Sequence, residues 1–311
     1  MKAAYIEQYG GTDAIKIVND FVQPAPAAGQ VLVKVHAASL NRIDTILRAG
    51  YLQQMMPLPF PSIVAGDFAG TVAQVGEGVT GFSKGDEVYG HSGALAGGSG
   101  ALAEFTVAAT GKVSAKPASV SMEEAASLPL TAASALQAIE EHIGLQEGQK
   151  ILIHGGTGGI GAIAIQLAKH LGAFVATTVD VQFASQAREL GADEVIDYKT
   201  QDFTSIIKDY DAVLVTAADA AAGSYGVLKS GGVLVLLAGM ADENAAREHG
   251  ITAIQQMTQT TAQQLGRIAE LVDKGIIKPK VDKAFPFAQA KEAYDYFEGG
   301  HPKGKVVVTM D

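Results

Sequence analysis

The 311-residue chain sets 23 Lys and Arg against 33 Asp and Glu, a net charge of −10; without a basic cluster, this excludes nucleic acid or an acidic membrane surface as partner. Hydrophobic residues make up 48% and charged residues 18%, an ordinary globular balance, and the length points to two domains. Cysteine is absent, which excludes disulfides, thiolate catalysis and any cysteine-built zinc or iron–sulfur site and suits a reducing compartment.

The first residues, MKAAYIEQYGG, lack the apolar core and cleavage site of a secretion signal, and no run reaches roughly eighteen apolar residues. A cytoplasmic protein without membrane association is expected. From Met1 to about Val113, glycine and proline break the chain into short strands: 2–6, 15–18, 31–38, 71–75, 87–90 and 103–107. Val31, Val33 and Val35 alternate with Leu32 and Lys34, the pattern of a half-buried strand. A short helix is expected over 41–49, where Asp44 and Arg48 are spaced to form a surface ion pair.

At Ser121 the character changes. SMEEAAS reads as a capping box, with Glu124 reaching back to Ser121, and alanine-rich helix continues to Ile143. Strand and helix then alternate, with strands at 151–153, 174–179, 194–196, 212–215 and 233–237 and a sixth expected at 251–257. That alternation builds a doubly wound parallel sheet. A helix through QQLGRIAELVDKG ends at Gly275, and strands return at 278–285 and 305–310. The domains expected are therefore a discontinuous β-rich one, 1–121 with 261–311, and an α/β one, 122–260, inserted into it.

The stretch KILIHGGTGGIGAIAIQLAKHLG carries the chemistry. Ile151, Leu152 and Ile153 form a buried strand; Gly156, Gly158 and Gly161 satisfy G-x-G-x-x-G; and Ile163, Ala164, Leu167, Ala168 and Leu171 recur at helical spacing. Glycines permit the turn, the approach of backbone N–H groups to a pyrophosphate, and close helix–strand packing, while the helix start offers unpaired donors and a favourable dipole. A dinucleotide site follows, supported by the next strand and by Asp180 at its end.

On further stretches the chain resembles the medium-chain dehydrogenase/reductase superfamily, specifically its zinc-free quinone oxidoreductase branch. These are ASLNRIDTILRAGY (38–51), VAGDFAGTVAQVGEGVTGFSKGDEVYG (64–90), HGGTGGIGAIAIQLAKHLGA (154–173), ELGADEVIDY (189–198) and GKVVV (304–308). The resemblance implies a GroES-like catalytic domain, a Rossmann domain inserted into it, and an active site between the two. The zinc alcohol dehydrogenases of the superfamily carry cysteine where Asn41 stands and Gly-His-Glu where Gly66, Asp67 and Phe68 stand. No zinc is therefore expected, and the seven histidines show no spacing that would restore a metal site.

Reduction without a Lewis acid suits conjugate addition of hydride to a quinone or an α,β-unsaturated carbonyl, whose charge is delocalised onto an oxygen that needs only hydrogen bonds and a proton. The implied catalytic residues are Asn41, its amide near the nicotinamide ribose or the substrate oxygen, and Tyr51 as a hydroxyl donor or merely a packing side chain. The implied cofactor residues are Asn41, Thr131, Gly156, Thr157, Gly158, Gly159, Ile160, Asp180, Tyr198, Ala217, Gly239, Met240 and Lys305. Thr131 could instead pack within its helix, Tyr198 cover an edge strand, Gly239 serve as a turn and Lys305 be a solvated charge. His154 reads as strand-end packing and Asp67 as structural.

The cofactor's phosphate divides the readings. The family pattern implies NADPH; locally, no basic residue follows Asp180 until Arg188, and a carboxylate there suits the ribose diol of NADH. Should Asp180 turn away as a helix cap, Thr177, Thr178 and Tyr198 are the neutral donors left for a phosphate. The substrate expected is a small hydrophobic quinone or enone, with loops 51–61 and 91–100 at the pocket mouth. An enoyl-thioester reductase and a non-catalytic NAD(P)H-binding redox sensor are the alternatives. Strand 251–257, at the sheet edge, is expected to pair in a homodimer.

Overall fold

The computed structural model describes residues 1–300 and 302–310. Its contacts divide the chain into two units, Met1–Leu130 with Thr260–Asp311, and Thr131–Gln259. The first crossing lies later than the composition change at Ser121. Ser121 does cap the helix Met122–Ala126 with reciprocal bonds to Glu124, but Ala125 and Ala126 are buried, and the helix packs on strands Gln30–Ser39 and Asp67–Val75 of the first unit.

The main sheet of the first unit has seven strands. Six run in the order Val281–Pro286, Lys305–Thr309, Gln30–Ser39, Asp67–Val75, Glu87–His91, Val113–Ala115, and Phe105–Ala109 also pairs with Gln30–Ser39. Three partners thus surround Gln30–Ser39: residues 30–34 meet Phe105–Ala109, residues 37–39 meet Lys305–Thr309, and Asp67–Val75 runs along the other edge. Leu32 is buried along with Val31 and Val33. The alternation expected there holds at exposed Lys34 and departs only at Leu32. Val35, Phe68, Val72, Val88, Val306 and Val308 continue the core.

A second, three-stranded antiparallel sheet joins Lys16–Val18, Ala3–Ile6 and Ser62–Ile63. Helix Ala290–Gly299, for which the sequence offered no capping signal, turns Ala290, Ala293 and Tyr294 into this core. Helix Arg42–Ala49 starts at Asn41, whose backbone N–H donates to Asp44 Oδ2 at 2.8 Å, and ends at Gly50 with φ +82°. The Asp44–Arg48 surface pair does not form. Arg48 is buried instead, donating to the carbonyl of Gly10 and to the Glu298 carboxylate, with its guanidinium over the Tyr294 ring.

The second unit holds a six-stranded, all-parallel sheet ordered Glu194–Asp197, Phe174–Val179, Lys150–His154, Tyr210–Val215, Leu228–Leu236, Thr252–Gln255. The chain starts in the middle, works to one edge, then crosses to the other side of Lys150–His154, which makes the doubly wound topology with its switch point beside that strand. Ile151, Leu152, Ile153, Val213, Leu214, Val215, Leu234 and Leu236 are fully buried, as strands covered on both faces require. Helix Pro129–Leu136 continues through Gln137–Ile143 at the wider π pitch and stops at left-handed Gly144.

Candidate functional site

At the carboxyl end of Lys150–His154 the chain turns on Gly155, whose φ of +69° is open to glycine far more readily than to other residues. The motif glycines have different tasks. A Cβ on Gly156 would lie 2.0 Å from Thr177 Oγ1, and one on Gly161 would lie 2.3 Å from the carbonyl oxygen of Gly155. Gly156 therefore lets the turn press on the neighbouring strand, and Gly161 lets the helix press on the turn. Gly155, outside the G-x-G-x-x-G reading, bears the conformational demand.

The helix Gly159–His170 begins at Gly158, which has no side chain to cap it. Its first backbone donors, at Gly159, Ile160 and Gly161, are aimed out of the helix start beside Thr157. Uncapped donors at the positive end of a twelve-residue helix suit a pyrophosphate. The turn is braced from beneath. Thr216 Oγ1 donates to the His154 carbonyl at 2.6 Å, and buried His154 bridges Thr178 Oγ1 at 3.0 Å and Ser224 Oγ at 3.1 Å, its ring edge-on to Phe203. Burial drives the His154 pKa down to about 4, so the ring is neutral.

The other strand ends contribute around this turn. Tyr198, half exposed, follows Glu194–Asp197; Ala217 follows Tyr210–Val215 and accepts from the Ala220 N–H; Gly239, with φ +79°, and exposed Met240 follow Leu228–Leu236. These, with Asp180, lie at the carboxyl edge of one parallel sheet, the side on which such sheets bind ligands. Thr131 is buried on helix Pro129–Leu136.

At the end of Phe174–Val179, Asp180 caps the next turn: its Oδ1 accepts from the Gln182 N–H at 3.2 Å. Its Oδ2 accepts from Gln182 Nε2 at 3.1 Å and from Lys199 Nζ. Hydrogen bonds from Lys199 and Gln182 hold the carboxyl below its usual range, and Asp180 in turn raises the Lys199 pKa. The basic residue missing along the sequence is thus present in space. Thr177 and Thr178 are not free donors as expected, because both are buried; Thr177 Oγ1 donates to the Ile153 carbonyl at 2.6 Å, and Thr178 Oγ1 is engaged by His154 and the Gly155 N–H.

The first unit contains a separate polar cluster. Asp67, fully buried, accepts through Oδ2 from Asn41 Nδ2 at 2.8 Å and from the Leu130 N–H at 3.1 Å, and its Oδ1 meets His91 Nδ1 at 2.8 Å. Lys305, also buried rather than solvated, donates to the Leu40 carbonyl at 2.7 Å and to Asn41 Oδ1. Both ends of the Asn41 amide are therefore committed inside the unit, to Asp67 and to Lys305. Burial lowers the Lys305 pKa against the opposing charges of Asp67 and Asp44. Burial also works against a charged His91, but the hydrogen bond and charge of Asp67 outweigh it and the ring's pKa lies above its usual value. The Asp44 carboxyl is pushed up to about 7 by burial and by the charge on Asp67.

Among the described residues no group of three or more His, Cys, Asp or Glu could hold a metal ion. Tyr51 is 82% exposed, and its hydroxyl has no hydrogen-bond partner among the described residues. The loops expected at a pocket mouth do share a recess, where Pro59 and Pro61 face Ala94 and Gly98 together with Met1 and Phe21; Tyr51 and Met55 stand outside it and are exposed. No helix among the described residues is long and apolar enough to cross a membrane.

Comparison with known proteins covers the chain almost throughout. Residues 27–118 match the alcohol dehydrogenase GroES-like domain, and residues 190–308 match the zinc-binding dehydrogenase family. The 2-methylene-furan-3-one reductase of Solanum lycopersicum is 34% identical over 99% of this chain and 79% of its own. The chloroplastic NADPH-dependent alkenal/one oxidoreductase of Arabidopsis thaliana gives the same identity and the same coverage of both chains. The quinone oxidoreductase structure from Coxiella burnetii superposes with a TM-score of 0.89 at 30% identity, covering 100% of this chain and 99% of that one.

Proposed function

The chain belongs to the medium-chain dehydrogenase/reductase superfamily, in its quinone oxidoreductase branch, and on that premise we propose that it is an NADPH-dependent, metal-independent reductase of small hydrophobic quinones and α,β-unsaturated carbonyls. The observation that carries the proposal is the uncapped start of helix Gly159–His170 on a turn where Gly156 and Gly161 leave no room for a side chain. That cradle fits a dinucleotide's pyrophosphate. Relatives named for NADPH, alkenals and quinones support the rest of the reading.

When bound, the nicotinamide supplies a hydride, and this chain's residues would do the remainder. The N–H groups of Gly159, Ile160 and Gly161 hold the pyrophosphate; Ala217, Gly239 and Met240 line the same sheet edge toward the nicotinamide end; Tyr198 flanks the adenosine end. Lys305 and Asn41 form a buried, charge-assisted hydrogen bond, and the unbonded hydroxyl of Tyr51 is available to donate a proton to the reduced substrate's oxygen. Metal independence rests on the donor set. The Asn41 and Asp67 side chains that stand at zinc-ligand positions are already saturated by Lys305, His91 and the Leu130 N–H.

The test is NADPH and NADH oxidation across a panel of benzoquinones, alkenals, enones and a crotonyl thioester, before and after dialysis against a chelator. Turnover of quinones or enones, unchanged by the chelator, is expected. Turnover confined to the thioester would replace the substrate class, binding without turnover would make the protein a sensor, and loss of activity on chelation would overturn metal independence.

A further inference from the structure

The ion pair between Asp180 and Lys199 occupies the one place on the sheet edge where NADH and NADPH differ. In doubly wound sheets the acidic residue at the end of the second strand accepts from the ribose hydroxyls. An unpaired carboxylate there would repel a 2′-phosphate carrying nearly two negative charges. Asp180 is not unpaired. Parallel pairing sets Val179 beside Asp197, which brings Lys199 from nineteen residues away onto Asp180 Oδ2. The Asp180 side chain is only 12% exposed and is also held by Gln182, whereas the Lys199 side chain is 57% exposed. The partners therefore differ in freedom: the carboxylate is fixed and the ammonium can swing on its stem.

We propose that Lys199 selects the nucleotide, exchanging Asp180 for the 2′-phosphate when NADPH binds and remaining on Asp180 when NADH binds. The proposal rests on the dinucleotide site of the preceding section and adds the residue that reads its phosphate. Gln182 makes the exchange feasible, because its N–H and Nε2 stay on Asp180 after Lys199 departs. The other charge facing Lys199 is that of Asp197, which also accepts from the Lys199 N–H and so ties the backbone while the side chain moves. Thr177 and Thr178 are committed inside the fold, whereas Lys199 and Tyr198 are exposed at this strand end and can donate to a phosphate.

The experiment is titration of nicotinamide fluorescence with NADPH and NADH for the wild-type chain, Lys199→Met, Lys199→Arg and Asp180→Asn. Lys199→Met should weaken NADPH by about tenfold, the loss of one charge-assisted contact, while NADH changes by less than about threefold. Lys199→Arg should restore most of the preference. Asp180→Asn should tighten NADPH and weaken NADH, and added salt should weaken NADPH more than NADH. Equal losses for both nucleotides in Lys199→Met, or no loss for either, overturn the role of Lys199 and leave the dinucleotide site standing. A wild-type chain that binds neither nucleotide overturns the site itself.

Discussion

Lys305 shows how much a single buried charge organises. Its ammonium holds the Asn41 amide and the Leu40 carbonyl in a cluster that also contains the Asp67 and Asp44 carboxyls. Lys305→Met removes the cation and leaves the Leu40 carbonyl and Asn41 Oδ1 without its hydrogen bonds, while Asp67 keeps His91, Asn41 and the Leu130 N–H. A loss of about 1–3 kcal/mol is expected in chemical denaturation, the usual result of leaving buried acceptors without their donor. His154 gives a pH signature of the opposite origin. Its folded pKa of about 4 lies below the unfolded value near 6.5, so the unfolded chain takes up the proton first. Stability should then be complete above about pH 6.5 and fall, by up to about 3 kcal/mol, as pH drops toward 4. The measurement is denaturant midpoints across that window for wild type and His154→Gln, whose curve should be flatter. Of these residues only some were legible. Packing of His154 at a strand end follows from its place before the glycines. The partner of Arg48 does not: four-residue spacing suggested Asp44, but the side chain is buried against Glu298, 250 residues away.

The glycine turn, among the elements, was the most legible, because its constraints are local. Turn, close approach and helix start are written within seven residues, 155–161. The structure adds which glycine does what, and the difference can be measured. Gly161→Ala would place a methyl 2.3 Å from the Gly155 oxygen and Gly156→Ala one 2.0 Å from Thr177 Oγ1, whereas Gly158→Ala meets the Gly155 oxygen at 3.3 Å. The first two variants should lose nucleotide binding by at least about tenfold and be destabilised by about 1–3 kcal/mol through displaced backbone or a displaced buried side chain. Gly158→Ala should retain binding within about threefold. Fluorescence titration and thermal unfolding decide, and equal behaviour of all three would contradict the steric assignment. Strand positions in the first unit were legible to within a few residues, but burial was not. The end of Gln30–Ser39 is paired because Lys305–Thr309 returns from the far end of the chain to residues 37–39, and no window of local sequence contains that partner. Short strands such as Ser62–Ile63 carry too few residues to show a period.

On the scale of the whole molecule, the alternation of strands and helices after Ser121 was enough to give a parallel sheet, since its central strands are apolar runs bounded by turns. Its outer strand raises a question of assembly. Thr252–Gln255 pairs with Leu228–Leu236 on one side and, among the described residues, with no strand on the other. Apart from its short length, the edge has little to blunt it: TAIQ carries no proline, lysine or inward charge. Next to it Met257 is 68% exposed, apolar surface that an isolated edge would leave in water. A second copy placed by two-fold symmetry would continue the sheet antiparallel across the edge, satisfying the open N–H and C=O groups and covering Met257. Light scattering at micromolar concentration should therefore give twice the chain mass of 32.1 kDa. Hydrogen exchange supplies the sharper discrimination: outward amides of Thr252–Gln255 should be protected at high protein concentration and lose protection on dilution, while those of the central strand Lys150–His154 stay protected throughout. A monomeric mass, with protection independent of concentration, would reject pairing at this edge and leave the nucleotide site untouched, because that site is built at the carboxyl ends of the strands rather than along the sheet's outer side.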